Sequence, residues 1–169
     1  KLNSVILKLI GPDKPGIVSD ISGLITSNGA NIEESRMIRL GSEFCIMILI
    51  SISENNFNVL KKELENLSEM KFDYSKTSKI SSKEQPNYFI DLYGADNEGI
   101  VNKVSDILSK NNINILELNT DTHNAPISGT TLFHMQAKIK LEESQLEEIK
   151  KMLDDISTNI GLDINISKF

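Results

Sequence analysis

The chain states one pattern twice, and that duplication constrains its fold more than any other feature. Gly11-Pro12-Asp13-Lys14-Pro15-Gly16-Ile17-Val18 lies over Gly94-Ala95-Asp96-Asn97-Glu98-Gly99-Ile100-Val101 at an offset of 83 residues. The register holds beyond the loop: Ile21, Leu24 and Ile25 fall on Val104, Ile107 and Leu108, and Asn28, Asn31, Ile32 and Glu34 fall on Asn111, Asn114, Ile115 and Glu117. From Phe44, which pairs with Phe133, the offset is 89, so the second copy carries six further residues, expected in a lengthened loop over Asp121 to Gly129. A repeat of this length is enough for a small domain of its own. The polar stretch Lys76 to Pro86 reads as a linker or frayed strand end, with a boundary near Ser82. The expected domains are therefore 1–82 and 83–169.

Each copy resolves into the same elements. Val5 to Ile10 is a short apolar run stopped by Gly11-Pro12, as a buried strand would be. Ile17, Val18, Ile21, Leu24 and Ile25 recur at helical spacing, with Pro15 suited to the first turn and Asn28-Gly29 to the end. Ile32 to Leu40 and Ser42 to Ile52 read as strands meeting at Gly41. Apolar positions 57, 60, 64 and 67 mark a second helix, and Phe72 to Ile80 a last strand. In the second copy, Ser144-Gln145-Leu146-Glu147 has the form of a capping box. The order βαββαβ places two helices on one face of a four-stranded antiparallel sheet. The fold class is α+β: two tandem ferredoxin-like modules.

The third strands differ between copies. Phe133, Met135, Ala137, Ile139 and Leu141 alternate with His134, Gln136, Lys138 and Lys140, giving one dry and one wet face. In the first copy Phe44, Ile46, Ile48 and Ile50 alternate with Cys45, Met47 and Leu49, so both faces are apolar. A domain or subunit contact, a homodimer included, is expected to cover the second face.

Charge and composition narrow the function. A net charge of −6 opposes direct binding of nucleic acid. One cysteine, Cys45, precludes an internal disulfide, and its apolar run predicts a buried, inert thiol; a reducing cytoplasm fits. No run approaches the ~18 apolar residues of a membrane span, and no secretory signal pattern opens the chain. His123 and His134 have no metal-ligand spacing and read as surface residues, so neither catalysis, metal nor cofactor is expected. Arg36 and Arg39 either pair with carboxylates, contact a partner, or are solvated strand-edge charges.

The loop Gly-x-Asp-x-x-Gly-Ile-Val, between first strand and first helix, suits a zwitterion. Glycines permit close backbone approach, helix N-terminal amides attract a carboxylate, and Asp13 or Asp96 can receive an ammonium or cap the helix. These residues, with Asn28-Gly29-Ala30-Asn31-Ile32 and the Arg36-Met37 to Gly41 strand pair, resemble an ACT domain. The tandem pair, with Asn31-Ile32-Glu33-Glu34-Ser35-Arg36-Met37 and Gly41-Ser42-Glu43-Phe44, resembles the glycine cleavage system transcriptional repressor family over nearly the whole chain. The resemblance implies a cytoplasmic protein that senses glycine or a similar small amino acid and modulates a DNA-binding regulator by protein contact. It implies one site at Asp13, Lys14, Pro15, Gly16 and Ile17, closed by Asn28, Asn31 and Ile32. A second would lie at Asp96, Asn97, Gly99, Ile100, Asn111, Asn114 and Ile115, where Glu98 sets a negative charge in the place of Pro15.

Two other readings use the same topology. RNA-recognition modules share the order but need exposed paired aromatics and basic charge, which are missing here. A ferredoxin-like hydrolase needs an anion-binding Arg where this chain has Lys14, whereas a regulatory pair cut from a larger amino-acid-metabolising enzyme remains an alternative.

Overall fold

A computed structural model describes residues 1–78, 84–95 and 98–169. The chain divides into two compact units, Lys1–Lys79 and Ile80–Phe169. The expected boundary at Ser82 lies outside the described residues.

The first unit runs β1 (Leu2–Pro12), α1 (Ile17–Ser27), β2 (Asn31–Leu40), β3 (Glu43–Ser53), α2 (Glu54–Glu65) and β4 (Lys71–Thr77). The second runs β5 (Tyr88–Ala95), α3 (Ile100–Lys110), β6 (Ile115–Asn124), β7 (Thr131–Ile139), α4 (Leu146–Ile160) and β8 (Leu162–Lys168). Strand order is β2-β3-β1-β4 in one sheet and β6-β7-β5-β8 in the other, antiparallel throughout. Even the irregularities repeat: β2 slips register between Ile32 and Glu34, and β6 between Ile115 and Glu117, the same repeat positions. These are the two antiparallel βαββαβ units read from the repeat.

Alternation within the strands builds each core. Val5, Leu7 and Leu9 of β1 and Ile46, Ile48, Ile50 and Ile52 of β3 point to one face and are buried against Ile21 and Ile25 of α1 and Phe57, Leu60 and Leu64 of α2. Val18, assigned to the helix stripe by spacing, is 40% exposed at its margin. Ser53 starts α2 by accepting from the Asn56 amide, supplying an acceptor that the first turn of a helix lacks. In the second unit Ile90, Leu92, Met135, Ala137 and Ile139 meet Val104, Leu108, Ile149 and Leu153.

Three expectations are corrected here. The capping box is built from Glu142 and Gln145 around a short 3-10 turn ahead of α4, and Ser144 does not cap. The six extra residues extend a hairpin tip: β6 and β7 stay paired out to Asn124 and Thr131, so Asp121–Asn124 are strand, and the turn is confined to 125–130. Cys45 is half-buried on the open face of the first sheet, opposite Ile10 on β1 and Ile38 on β2. β3 is apolar on that face as expected, and Ile10, Ile38, Leu40 and Met47 are exposed there, but Lys8 and Arg36 stand beside Met47 in register and Asp73 beside Lys8; Met47 is 49% accessible within its unit.

Candidate functional site

The loop between β1 and α1 is shaped by its two glycines, each for a different reason. Gly16 is the N-cap of α1 at φ 88°, a left-handed conformation that strains any residue with a Cβ. The helix begins from its carbonyl, which accepts the Asp20 amide at 2.8 Å. Gly99 repeats this at φ 78°, with the Lys103 amide at 2.9 Å. Gly11 needs its missing side chain because the turn from α2 into β4 packs against it: a Cβ there would collide with Met70 Sδ and the Glu69 carbonyl. Gly94 is likewise closed upon by Leu162. The close approach expected of a ligand at the first glycine is made instead by the chain itself.

Asp13 is not a helix cap, because Gly16 occupies that position without any side-chain bond. Its amide donates to the Ser42 carbonyl at 3.1 Å, tying the loop to the β2–β3 turn. Its carboxylate faces Arg39 Nη1 at 3.7 Å, while Arg36 pairs with Glu34 at 2.8 Å. Both arginines thus face carboxylates, one of the arrangements their chemistry allowed, while staying largely exposed.

Lys14, Pro15 and Ile17 line a cavity of about 180 Å³ between the start of α1 and the α2–β4 turn. Asp20 and Ile21 continue its wall along α1 at helical spacing, and Leu67, Ser68, Glu69 and Met70 close it from the turn. Its floor is apolar. Across its rim the Lys14 ammonium pairs with the Glu69 carboxylate, both about half exposed. Glu69 and Asp20 belong to this cavity yet carried no signal in the sequence, since nothing local connects position 69 to position 14.

The other expected residues in the first unit lie elsewhere. Asn28 caps the far end of α1, eleven residues beyond Ile17 and therefore about 16 Å along the helix. Its side-chain amide donates to the Leu24 carbonyl at 2.9 Å and to Glu63 at 2.6 Å. Asn31 and Ile32 open the edge strand β2 and are exposed. Lys14, Pro15 and Ile17 share the cavity, whereas Asp13 faces Arg39, Gly16 caps α1, and Asn28, Asn31 and Ile32 do not line it.

In the second unit Asp96 and Asn97 lie outside the described residues. Gly99 caps α3, and Ile100 is buried in the core. Asn111 mirrors Asn28, donating to the Ile107 carbonyl at 2.8 Å, while its own carbonyl accepts from Gln145 Nε2 at 3.0 Å. Asn114 accepts the Lys140 amide at 3.5 Å, and Ile115 packs on the core. The charges around the first cavity do not recur. Lys103 stands where Asp20 does, and since Leu162 and the Gly161 carbonyl close on Gly94 as Met70 and the Glu69 carbonyl close on Gly11, Ile160 and Gly161 take the places of Ser68 and Glu69.

Tandem βαββαβ units with this loop define a class of regulatory fold, and the chain belongs to it: the ACT domain family model matches residues 3–73 and again 88–167. Among its relatives is the glycine cleavage system transcriptional repressor of Escherichia coli K12, 27% identical over 139 residues that span 78% of this chain and 72% of the relative. The crystal structure of an unknown protein from Galdieria sulphuraria is 30% identical, with a TM-score of 0.89 over 100% of this chain and 99% of that one. A further crystal structure, provisionally named a glycine cleavage system transcriptional repressor, superposes with a TM-score of 0.73 over 99% of this chain and 98% of its own at 22% identity, a likeness of fold. Among the described residues no helix is long and apolar enough to cross a membrane.

Proposed function

We propose that this chain is a regulatory protein that binds a small amino acid and passes that information to a protein partner, with no catalysis of its own. The named relative is a transcriptional repressor, which supports a partner that itself binds DNA and governs glycine or one-carbon metabolism in the cytoplasm. The net charge of −6 favours acting through such a partner over touching nucleic acid directly. The two modules, taken as 1–82 and 83–169, would divide the work, one sensing and one contacting.

The observation that carries the reading is the cavity beside the first loop. Lys14 presents a cation, Glu69 and Asp20 present carboxylates, and Ile17, Ile21, Leu67 and Met70 supply an apolar floor. A zwitterion complements this set: its carboxylate takes Lys14, its ammonium takes Glu69 or Asp20, and a short side chain enters the floor. Lys14 and Glu69 satisfy one another, so binding exchanges one exposed ion pair for two and costs little in broken contacts. Among the described residues of the second unit this charge set does not recur, which favours the first as the sensing module.

Isothermal calorimetry of the full chain against glycine, serine, alanine and leucine tests this. One of them is expected to bind and to raise the melting temperature, worth about 2.7 kcal/mol at a hundredfold excess over Kd. A panel of all twenty amino acids giving neither heat nor a shift would remove the sensing role.

A further inference from the structure

The charges on the first unit's cavity do not balance. Lys14 supplies one cation, while Glu69 and Asp20 supply one carboxylate each. Lys14 and Glu69 pair across the rim, whereas the Asp20 carboxylate has no hydrogen-bond or ion-pair partner among the described residues. It nevertheless stands on the cavity wall, on the same face of α1 as Ile17 and Ile21.

Helix stability does not account for this carboxylate. An acidic side chain in the first turn is favourable at the positive end of a helix, which is the plain alternative. Yet α3 starts in the same way, from a left-handed glycine whose carbonyl accepts the amide of the residue four further on, and that residue is Lys103. The same helix start therefore carries a cation in one unit and an anion in the other. The anion goes with the cavity.

An amino acid brings one carboxylate and one ammonium on the same carbon, and Lys14 and Glu69 are likewise neighbours of opposite charge. That pair matches the groups that all amino acids share. Asp20 remains, and the part of the ligand left to meet it is the side chain. A methyl group there displaces water from a charged acceptor and returns no hydrogen bond, whereas a hydroxyl donates one. A second carboxylate on the ligand repels it. At about 180 Å³ the cavity lies below the ~300–1,000 Å³ of sites for drug-sized ligands, which keeps that side chain short.

We propose that Asp20 is the specificity-determining residue of this site: it accepts a hydrogen bond from a donor on the ligand's side chain, so the site selects a short hydroxyl-bearing amino acid over an apolar or acidic one of similar size. The inference rests on this cavity being the amino-acid site.

The test is calorimetry of the full chain with serine, alanine and aspartate. Serine and alanine differ only by the hydroxyl. Serine is expected to bind about tenfold more tightly than alanine, the low end for a hydrogen bond to a charged group, and aspartate more weakly than either. In Asp20→Ala the ratio of serine to alanine affinity should fall to near one. Asp20 is exposed, so this variant is expected to fold, and its circular dichroism spectrum should match the parent's. Equal binding of serine and alanine by the parent would overturn the role of Asp20 while leaving amino-acid sensing in place, as would a serine preference that survives in Asp20→Ala. Failure of every amino acid to bind would instead remove the sensing role, and this inference with it.

Discussion

Lys14 and Glu69 reach across the first unit's cavity and form an ion pair, one from the loop that opens α1 and the other from the turn that leads into β4. Two loops remote in sequence thus supply opposite charges to one rim. An amino acid is the simplest molecule that matches both at once.

Replacing Lys14 with Met is expected to abolish amino-acid binding, at least tenfold by calorimetry, while leaving urea denaturation nearly unchanged. The pair is half exposed, and exposed pairs contribute only about 0–1 kcal/mol to folding. A variant that binds as well as the parent would separate the ligand from this cavity.

Gly11→Ala should destabilise the chain by about 1–3 kcal/mol, the range for forcing extra volume into a packed site. A Cβ at that position meets the Glu69 carbonyl as well as the flexible Met70 side chain, and the backbone cannot simply rotate away. Gly23→Ala, where a Cβ has nothing within 4 Å, is the matched control and should not destabilise. Equal midpoints in urea for the two variants would contradict this packing.

Leu60 is fully buried between α2 and the sheet, so Leu60→Ala should lose about 2–5 kcal/mol through lost transfer energy and the cavity left behind. Chemical denaturation followed by circular dichroism measures it directly. A loss below 1 kcal/mol would mean that α2 does not pack as described.

Met47→Lys probes the open apolar face of the first sheet. With Met47 49% exposed within its own unit, the substitution should leave that unit's folding almost intact. If a domain or a second copy covers the face, sedimentation or the melting temperature of the full chain will change. No change in either would remove the expected contact.

Glu143 is held below its ordinary value of 4.5, first by the hydrogen bond from Lys168 and then by that ammonium's charge, and Lys168 is raised in return. A depressed carboxylate contributes stability that is present above its unfolded value and lost as the pH falls through its folded one. Lys168→Ala should therefore move the Glu143 titration back up toward 4.5 in a carbon-detected NMR experiment. An unmoved titration would mean that the pair does not form in solution.

The repeat and its periodicities are properties of short stretches, and they were sufficient for the fold. Alternation in Phe133–Leu141 and helical spacing in Ile17–Ile25 each follow from which side of one element meets the core, a choice made by residues within two turns of one another. The loop glycines were legible too, although the reason for Gly11 was not, because its crowding neighbour is Met70. Where side chains converge across the fold, local pattern is silent. Glu69 joins Lys14 only after β4 pairs with β1, and Asp91, Asp121, His123 and His134 meet only after three strands align in register. Asn28 and Asp13 look like neighbours in a motif, yet a rigid helix with a rise of about 1.5 Å per residue holds them at opposite ends. The sequence by itself determined the duplicated sheet-and-helix layers, since burial of apolar faces is a local demand. Tertiary structure alone decided which charges share a cavity, since that depends on backbone pairing between segments more than fifty residues apart.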